Sequence, residues 1–212
     1  MTRRTSVVLI LAAVALGSVA CAGSPSPTPS SSSSPASEAT QPSTTALPYA
    51  GAPKVTSPLP ASVLSGDPCA SALTPQQITQ AVGPDPELRP GTIPGIGPKC
   101  SWSNTKTNGQ VLVAYDSESH TGLSGVYQNT QPKSGVWKVL PAIQGYPAVA
   151  YAGEKGTVPK DYCHVAIGLA DDLSVDVYLT LGRTKVGVSD PCEVVPGIAE
   201  LVLTTLRAKA GA

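Results

Sequence analysis

The chain has 212 residues and a formal net charge of zero, with 14 basic and 14 acidic side chains. No basic cluster stands out, so nucleic acid is not an expected partner. Phenylalanine is absent, and a core must therefore be built from aliphatic residues with a few tyrosines and tryptophans.

The first 20 residues have the pattern of a secretory signal peptide. Arg3 and Arg4 precede an apolar run, residues 7–16, which is too short to cross a bilayer as a helix. Small residues then lead to Cys21. This arrangement resembles the lipobox of bacterial lipoproteins, in which the cysteine is acylated and becomes the new N-terminus. The resemblance implies that Cys21 carries lipid and anchors the protein to the outer face of the cell membrane.

Residues 22–46 consist largely of Ser, Thr and Pro, and their only charged residue is Glu38. Residues 47–66 remain rich in proline. Such a composition offers few apolar groups whose burial would offset the entropy lost on ordering. We therefore expect residues 21–66 to form a lipidated cysteine followed by a disordered stalk, and residues 67–212 to form one globular domain.

The expected domain contains four cysteines: Cys69, Cys100, Cys163 and Cys192. An even number in an exported domain favours two disulfides, for which three connectivities exist. The spacings favour joining the first to the second and the third to the fourth, because each bond then links an Asp-Pro-Cys motif to a predicted strand. A zinc site would need closely spaced ligand pairs, which are absent, so neither a metal nor a cofactor is expected.

Three helix starts carry capping residues. Asp67-Pro68 and Asp190-Pro191 each place an acidic cap before a proline at the first helical position, and residues 74–77 form a capping box. The start at Asp190-Pro191 leads into an amphipathic helix that reaches Leu206. Pro196 is expected to kink or restart that helix, since it removes a backbone hydrogen bond.

Alternation of apolar and polar residues predicts two β-hairpins. The first covers residues 100–115 and turns at Asn108-Gly109. The second covers residues 163–181 and turns at Asp171-Asp172. In both hairpins one face is apolar and the other polar, which is typical of an antiparallel sheet packed on one side.

Weaker patterns fill the remainder of the domain. Residues 123–130 suit a short helix, residues 148–151 suit a strand, and residues 84–98 suit a loop because they are rich in proline and glycine. The predicted fold class is therefore α+β. An antiparallel sheet of hairpins is packed on one face by N- and C-terminal helices and is held by two disulfides.

Several segments of the chain, taken together with the lipobox and stalk, resemble a known family. The segments are "DPCASALTPQQITQAVG", "CSW", "GYPAVAY" and "DPCEVV". The family comprises actinobacterial cell-envelope lipoproteins and is catalogued as domain of unknown function number thirty-five fifty-eight. Because the family has no established catalytic motif, the resemblance implies an envelope location and a fold, but no activity.

The sequence contains no recognised catalytic motif and only two histidines. His120 lies among serines and acidic residues in a predicted loop and is expected to be solvated. His164 follows Cys163 on a strand and is expected to be half-exposed on the opposite face. We therefore expect no catalytic residues, although a hydrolase with an unrecognised site remains an alternative.

Three aromatic residues flank a connection rich in glycine and proline: Trp137, Tyr146 and Tyr151. Side chains of this kind line binding surfaces, and they also serve as core residues in a domain without phenylalanine. We expect a membrane-anchored, non-catalytic binding module whose ligand is an envelope protein, a glycan or a lipid. A carrier of lipids or small molecules is the other alternative.

Overall fold

The computed structural model of the chain describes residues 46–211. The predicted signal peptide, Cys21 and the stalk as far as residue 45 lie outside the described residues. Within residues 46–211, no helix is both long enough and apolar enough to cross a membrane.

Seven antiparallel strands form one sheet, in the order β1-β2-β3-β7-β6-β5-β4. The strands are β1 (Glu87–Ile93), β2 (Gly97–Asn104), β3 (Gly109–Asp116), β4 (Ser134–Val139), β5 (Ala148–Glu154), β6 (Tyr162–Ala170) and β7 (Leu173–Thr180). Both predicted hairpins are present, as β2–β3 and β6–β7. They lie side by side because β3 pairs with β7 in the centre of the sheet.

The described residues contain four α-helices, three of which begin where the capping residues predict. They are α1 (Pro68–Ser71), α2 (Pro75–Val82), α3 (Gly122–Asn129) and α4 (Pro191–Ala210). Asp67 and Asp190 accept hydrogen bonds from the backbone N–H of Cys69 and Cys192, each at 2.8 Å. The expected restart at Pro196 is wrong, since α4 continues through this residue as a single helix.

The sheet has two different faces. Helices α1, α2 and α4 cover the one that we call the helix face, where residues such as Val113, Val165 and Val177 are fully buried. Two disulfides join this layer to the sheet and confirm the predicted pairing: Cys69–Cys100 links α1 to β2, and Cys163–Cys192 links β6 to α4. The loop-entropy model assigns roughly 3–4 kcal/mol to each closure. The predicted α+β fold is confirmed.

Two strands occur where the sequence did not predict them. β1 (Glu87–Ile93) lies within the predicted loop and forms one edge of the sheet. An edge strand tolerates Pro90 because only one side of such a strand is hydrogen-bonded to a neighbour. β4 (Ser134–Val139) forms the other edge, and it places Trp137 on a strand rather than in a loop.

The folded domain begins before Asp67, which corrects the predicted boundary. Four apolar side chains of the preceding segment are buried in the main core: Val55, Leu59, Val63 and Leu64. We call residues 46–66 the N-terminal arm. Its proline content suggested a stalk, but its aliphatic residues cover core that the helices leave open.

Hydrogen bonds fix the N-terminal arm across the end of the sheet. The backbone N–H of Leu59 donates to the carbonyl of Leu169 at 2.8 Å, and the N–H of Val55 donates to Asp171 Oδ1 at 2.8 Å. Ala52 packs with Leu123 on the face opposite the helix face. The arm therefore passes from one face of the sheet to the other around the β6–β7 turn.

We predict that a chain starting at Asp67 is far less stable than one starting at Ala46. Burying each of the four aliphatic side chains contributes about 1.5–3 kcal/mol, or roughly 6–12 kcal/mol together, which is comparable with the total stability of a domain, about 5–15 kcal/mol. Urea unfolding of the two oxidised chains measures the difference. Equal unfolding midpoints would contradict a structural role for the arm.

A point variant tests the same contact without truncation. Leu59→Ala should lower the free energy of unfolding by about 2–5 kcal/mol, as other buried leucines do. Val158→Ala is the matched control, because Val158 is 71% exposed and an exposed substitution changes stability by about 0.5 kcal/mol or less.

Candidate functional site

The second face of the sheet, which we call the cleft face, carries a continuous row of rings. Trp137, Tyr151, His164 and Tyr178 lie on four neighbouring strands, and each residue is directly opposite the next. The ring centroids of Tyr151 and His164 are 4.7 Å apart with nearly parallel planes, and those of His164 and Tyr178 are 4.6 Å apart. Cross-strand pairs such as these stabilise a sheet by about 0.2–1 kcal/mol each. We call these four residues the aromatic row.

Asp176 fixes two members of the aromatic row. Its carboxylate accepts a hydrogen bond from the Tyr151 hydroxyl and another from His164 Nδ1, the latter at 2.9 Å. Burial and the nearby Asp176 charge raise the pKa of Tyr151 well above its usual value of 10, so this hydroxyl remains a donor. Because Nδ1 of His164 points to the carboxylate, Nε2 is the ring nitrogen directed away from Asp176.

A second carboxylate, Asp116, ends β3 close to this network. Its side chain is buried, and it accepts hydrogen bonds from the Ser174 hydroxyl at 3.1 Å and from the Ser119 backbone N–H at 3.4 Å. Burial raises the pKa of Asp116 above its usual value, while the bonds from Ser119 and Ser174 act in the opposite direction and the charge of Asp176 adds to the rise. An ionised carboxylate at this position is therefore costly unless a positive charge approaches it.

These groups form the floor of a cleft of about 460 Å³, which we call the inner cleft. The β1–β2 turn and α3 form its walls. Its floor residues are Ala114, Asp116, Tyr151, His164, Ala166, Ser174 and Asp176, and its apolar wall residues are Ile93, Ile96 and Val126. A volume of this size suits a small molecule or one unit of a larger ligand.

A wider groove of about 710 Å³ continues from the inner cleft toward β5 and β6. The two regions share four lining residues: Asn129, Thr130, Tyr151 and His164. This outer groove also contains Lys133, Lys155 and Glu154, so it carries lysines that the inner cleft lacks. A ligand longer than the inner cleft would extend along this groove.

The structure separates the three predicted aromatic residues. Trp137 and Tyr151 are neighbours on the cleft face, with ring centroids 6.3 Å apart. Tyr146 is buried in the main core on the helix face and lines neither the inner cleft nor the outer groove. Trp137 packs edge-on against Tyr127 of α3, with centroids 5.0 Å apart, so it supports the site rather than lining it.

The two histidines lie in different environments. His120 is exposed in the loop before α3, with a positive φ of 51°. His164 is half-buried on the face opposite Cys163, where the alternation placed it. Sequence reasoning missed Asp116, Ser174 and Asp176 as site residues. The polar face of the β6–β7 hairpin was the available signal, since it combines a histidine and an aspartate with tyrosines.

The serine hydroxyls of the inner cleft have partners other than His164. Ser174 donates to Asp116, and the Ser119 hydroxyl pairs with that of Thr121 at 3.0 Å. Within residues 46–211, no group of three or more Asp, Glu, His or Cys side chains is placed to hold a metal ion. The cleft therefore has fixed hydrogen-bonding groups on its floor and apolar side chains on its walls. Such an arrangement can recognise and orient a ligand.

The fold and the site define a disulfide-stabilised α+β domain with a ligand-sized cleft on one face of its sheet. A family model described as a protein of unknown function (DUF3558) matches residues 16–205. The chain therefore belongs to this family, which confirms the resemblance found in its sequence. No curated protein and no solved structure matches the chain.

We predict that the stability of the Asp116→Asn variant, relative to that of the wild-type protein, increases as the pH rises. The raised pKa means that native Asp116 keeps its proton to a higher pH than the unfolded chain does. The wild-type protein therefore loses stability as the pH rises from the unfolded pKa through the native one, and the asparagine variant lacks this loss. The difference in Tm, variant minus wild type, should be larger at pH 7 than at pH 3.5.

Glu118→Gln controls for the general effect of removing a negative charge, because Glu118 is exposed in the loop that follows β3, two residues after Asp116. A difference in Tm for Asp116→Asn that does not change with pH, or that matches the control at both pH values, would show that burial does not penalise the Asp116 carboxylate.

Proposed function

We propose that this protein is a membrane-anchored, non-catalytic binding module of the cell envelope, and that its ligand seats in the inner cleft. The observation that carries the proposal is the combination of Asp176, Tyr151 and His164 on the cleft floor beneath an apolar wall. Mostly apolar clefts with a few fixed polar groups are the usual form of small-molecule sites.

The position of the polar groups on central strands supports recognition. Asp176 lies between Val175 and Val177, both fully buried, and His164 follows the disulfide-bonded Cys163. These neighbours hold the backbone of the site in place before a ligand arrives. Groups fixed in this way lose little further entropy on binding, which favours affinity.

Two features support an envelope location. The disulfides are typical of proteins that fold in an oxidising compartment, and Cys21 lies in a lipobox-like sequence. With the N-terminal arm assigned to the domain, residues 22–45 remain as the tether.

Crosslinking in cells tests whether the cleft is the binding site. A photoreactive residue at Asn129, which is exposed on the rim of both the inner cleft and the outer groove, should give a defined mass adduct in the intact protein. The matched control carries the same residue at Gln76, which is exposed on α2 beside the helix face. Adducts that are absent at Asn129, or equal at both positions, would contradict a ligand site in the cleft.

We predict that Cys21→Ala moves the protein from the membrane fraction to the soluble or secreted fraction. Acyl chains supply about 0.8 kcal/mol per buried methylene group, and the variant has no thiol to carry them. Metabolic labelling with palmitate, followed by fractionation without detergent, measures both effects. A variant that stays in the membrane fraction would indicate that another part of the protein, or a partner, provides the anchor.

A further inference from the structure

We infer that the ligand of the inner cleft carries a positively charged amine joined to an apolar body. This inference rests on the proposed function and adds to it the chemical class of the ligand. The size of the cleft and its apolar wall define it as a site whatever its charge, and the charge of its floor then selects among the ligands that fit.

The floor of the inner cleft is acidic. Asp116 and Asp176 both line it, and no Lys or Arg occurs among the lining residues that the structure describes. The nearest lysines of the site, Lys133 and Lys155, lie in the outer groove instead. A phosphate or carboxylate would meet the two carboxylates and no lysine or arginine, and His164 is already bonded to Asp176, so anionic ligands are disfavoured.

Both carboxylates retain hydrogen-bonding capacity toward the cleft. A carboxylate has about four acceptor positions. Asp176 uses its bonds to Tyr151 and His164, and Asp116 uses its bonds to Ser119 and Ser174. An ammonium group has three donors and no acceptor, which matches the remaining positions. It would also offset the cost of keeping Asp116 ionised where it is buried.

The walls account for the apolar part of the ligand. Ile93 at the end of β1, Ile96 of the β1–β2 turn and Val126 of α3 line the cleft with aliphatic side chains. Ala114 and Ala166 leave room on the floor between the polar groups because their side chains are small. A compact hydrocarbon or ring seated against these side chains would place an attached amine above Asp116 and Asp176.

Titration with three matched probes tests the inference. Benzylamine, benzyl alcohol and benzoate share one ring and differ in the charge of the attached group. Amide chemical shifts of the oxidised chain 22–212 should respond saturably to benzylamine around Val126 and Ala166. Binding of benzyl alcohol should be at least tenfold weaker, and benzoate should cause no saturable change.

Carboxylate variants give the second arm of the test. Asp176→Asn should weaken benzylamine binding by about tenfold or more. Asp116→Asn should weaken it as well, and this second variant leaves the hydrogen bonds of Tyr151 and His164 to Asp176 in place. Glu118→Gln removes an exposed charge beside the site and should leave the affinity unchanged. An equal loss in the control would show that only overall charge attracts the amine, and would overturn the inference.

The failure of this inference can be separated from the failure of the proposed function. If benzyl alcohol or benzoate binds as tightly as benzylamine, the inference of an amine ligand is overturned, while the cleft remains a binding site. Absence of shifts with any probe, together with a defined adduct at Asn129 in cells, would have the same meaning. Absence of both shifts and adducts would overturn both proposals.

Discussion

The register of the β6–β7 hairpin is the constraint on which the helix face and the cleft face both depend. A two-residue turn at Asp171–Asp172 pairs Ala170 with Leu173, and continuing that register would place His164 opposite Leu179. Apolar and polar residues would then share each face. An irregularity between Gly168 and Ala170 shifts the pairing by one residue, so that His164 lies opposite Tyr178 and the two apolar rows coincide. Without that bulge, neither the core nor the aromatic row could form.

The N-terminal arm is coupled to the same bulge. The carbonyl of Leu169, the extra residue of the bulge, accepts the hydrogen bond from Leu59. Gly168 allows the close approach, since a Cβ there would lie 3.0 Å from Leu123 and 3.3 Å from Val55. Val55, Leu59 and Val63 recur at the four-residue spacing of a helix, but Pro58 and Pro60 lie between them and exclude a continuous helix, so sequence reasoning did not find the arm. Its prolines suggested a stalk, yet they also restrict the unfolded chain and so lower the entropic cost of ordering the arm.

Features with local chemical signals were predictable from the sequence. The capped starts of α1, α2 and α4 depend on side chains within a few residues, and the disulfides follow from those starts. The alternation likewise placed His164 on the face of the sheet opposite to that of Cys163. The same alternation would also have separated the aromatic candidates. Tyr146 is an even number of residues from the buried Ala148 and Ala150, whereas Tyr151 is an odd number from them and so lies on the other face. The cleft itself was not predictable, since it depends on how α3 and the β1–β2 turn approach the sheet, and no sequence period encodes that distance.

The two faces of the sheet have complementary roles that follow from their chemistry. The helix face contains the disulfides and nearly all of the aliphatic burial, which makes the central strands rigid. Each polar residue of the cleft floor lies next in sequence to one of those buried residues, so its backbone cannot shift without disturbing the core. Buried polar networks are costly unless they are fully satisfied. Asp116 and Asp176 each accept two hydrogen bonds from the fold, which holds both carboxylates in place at the cleft floor.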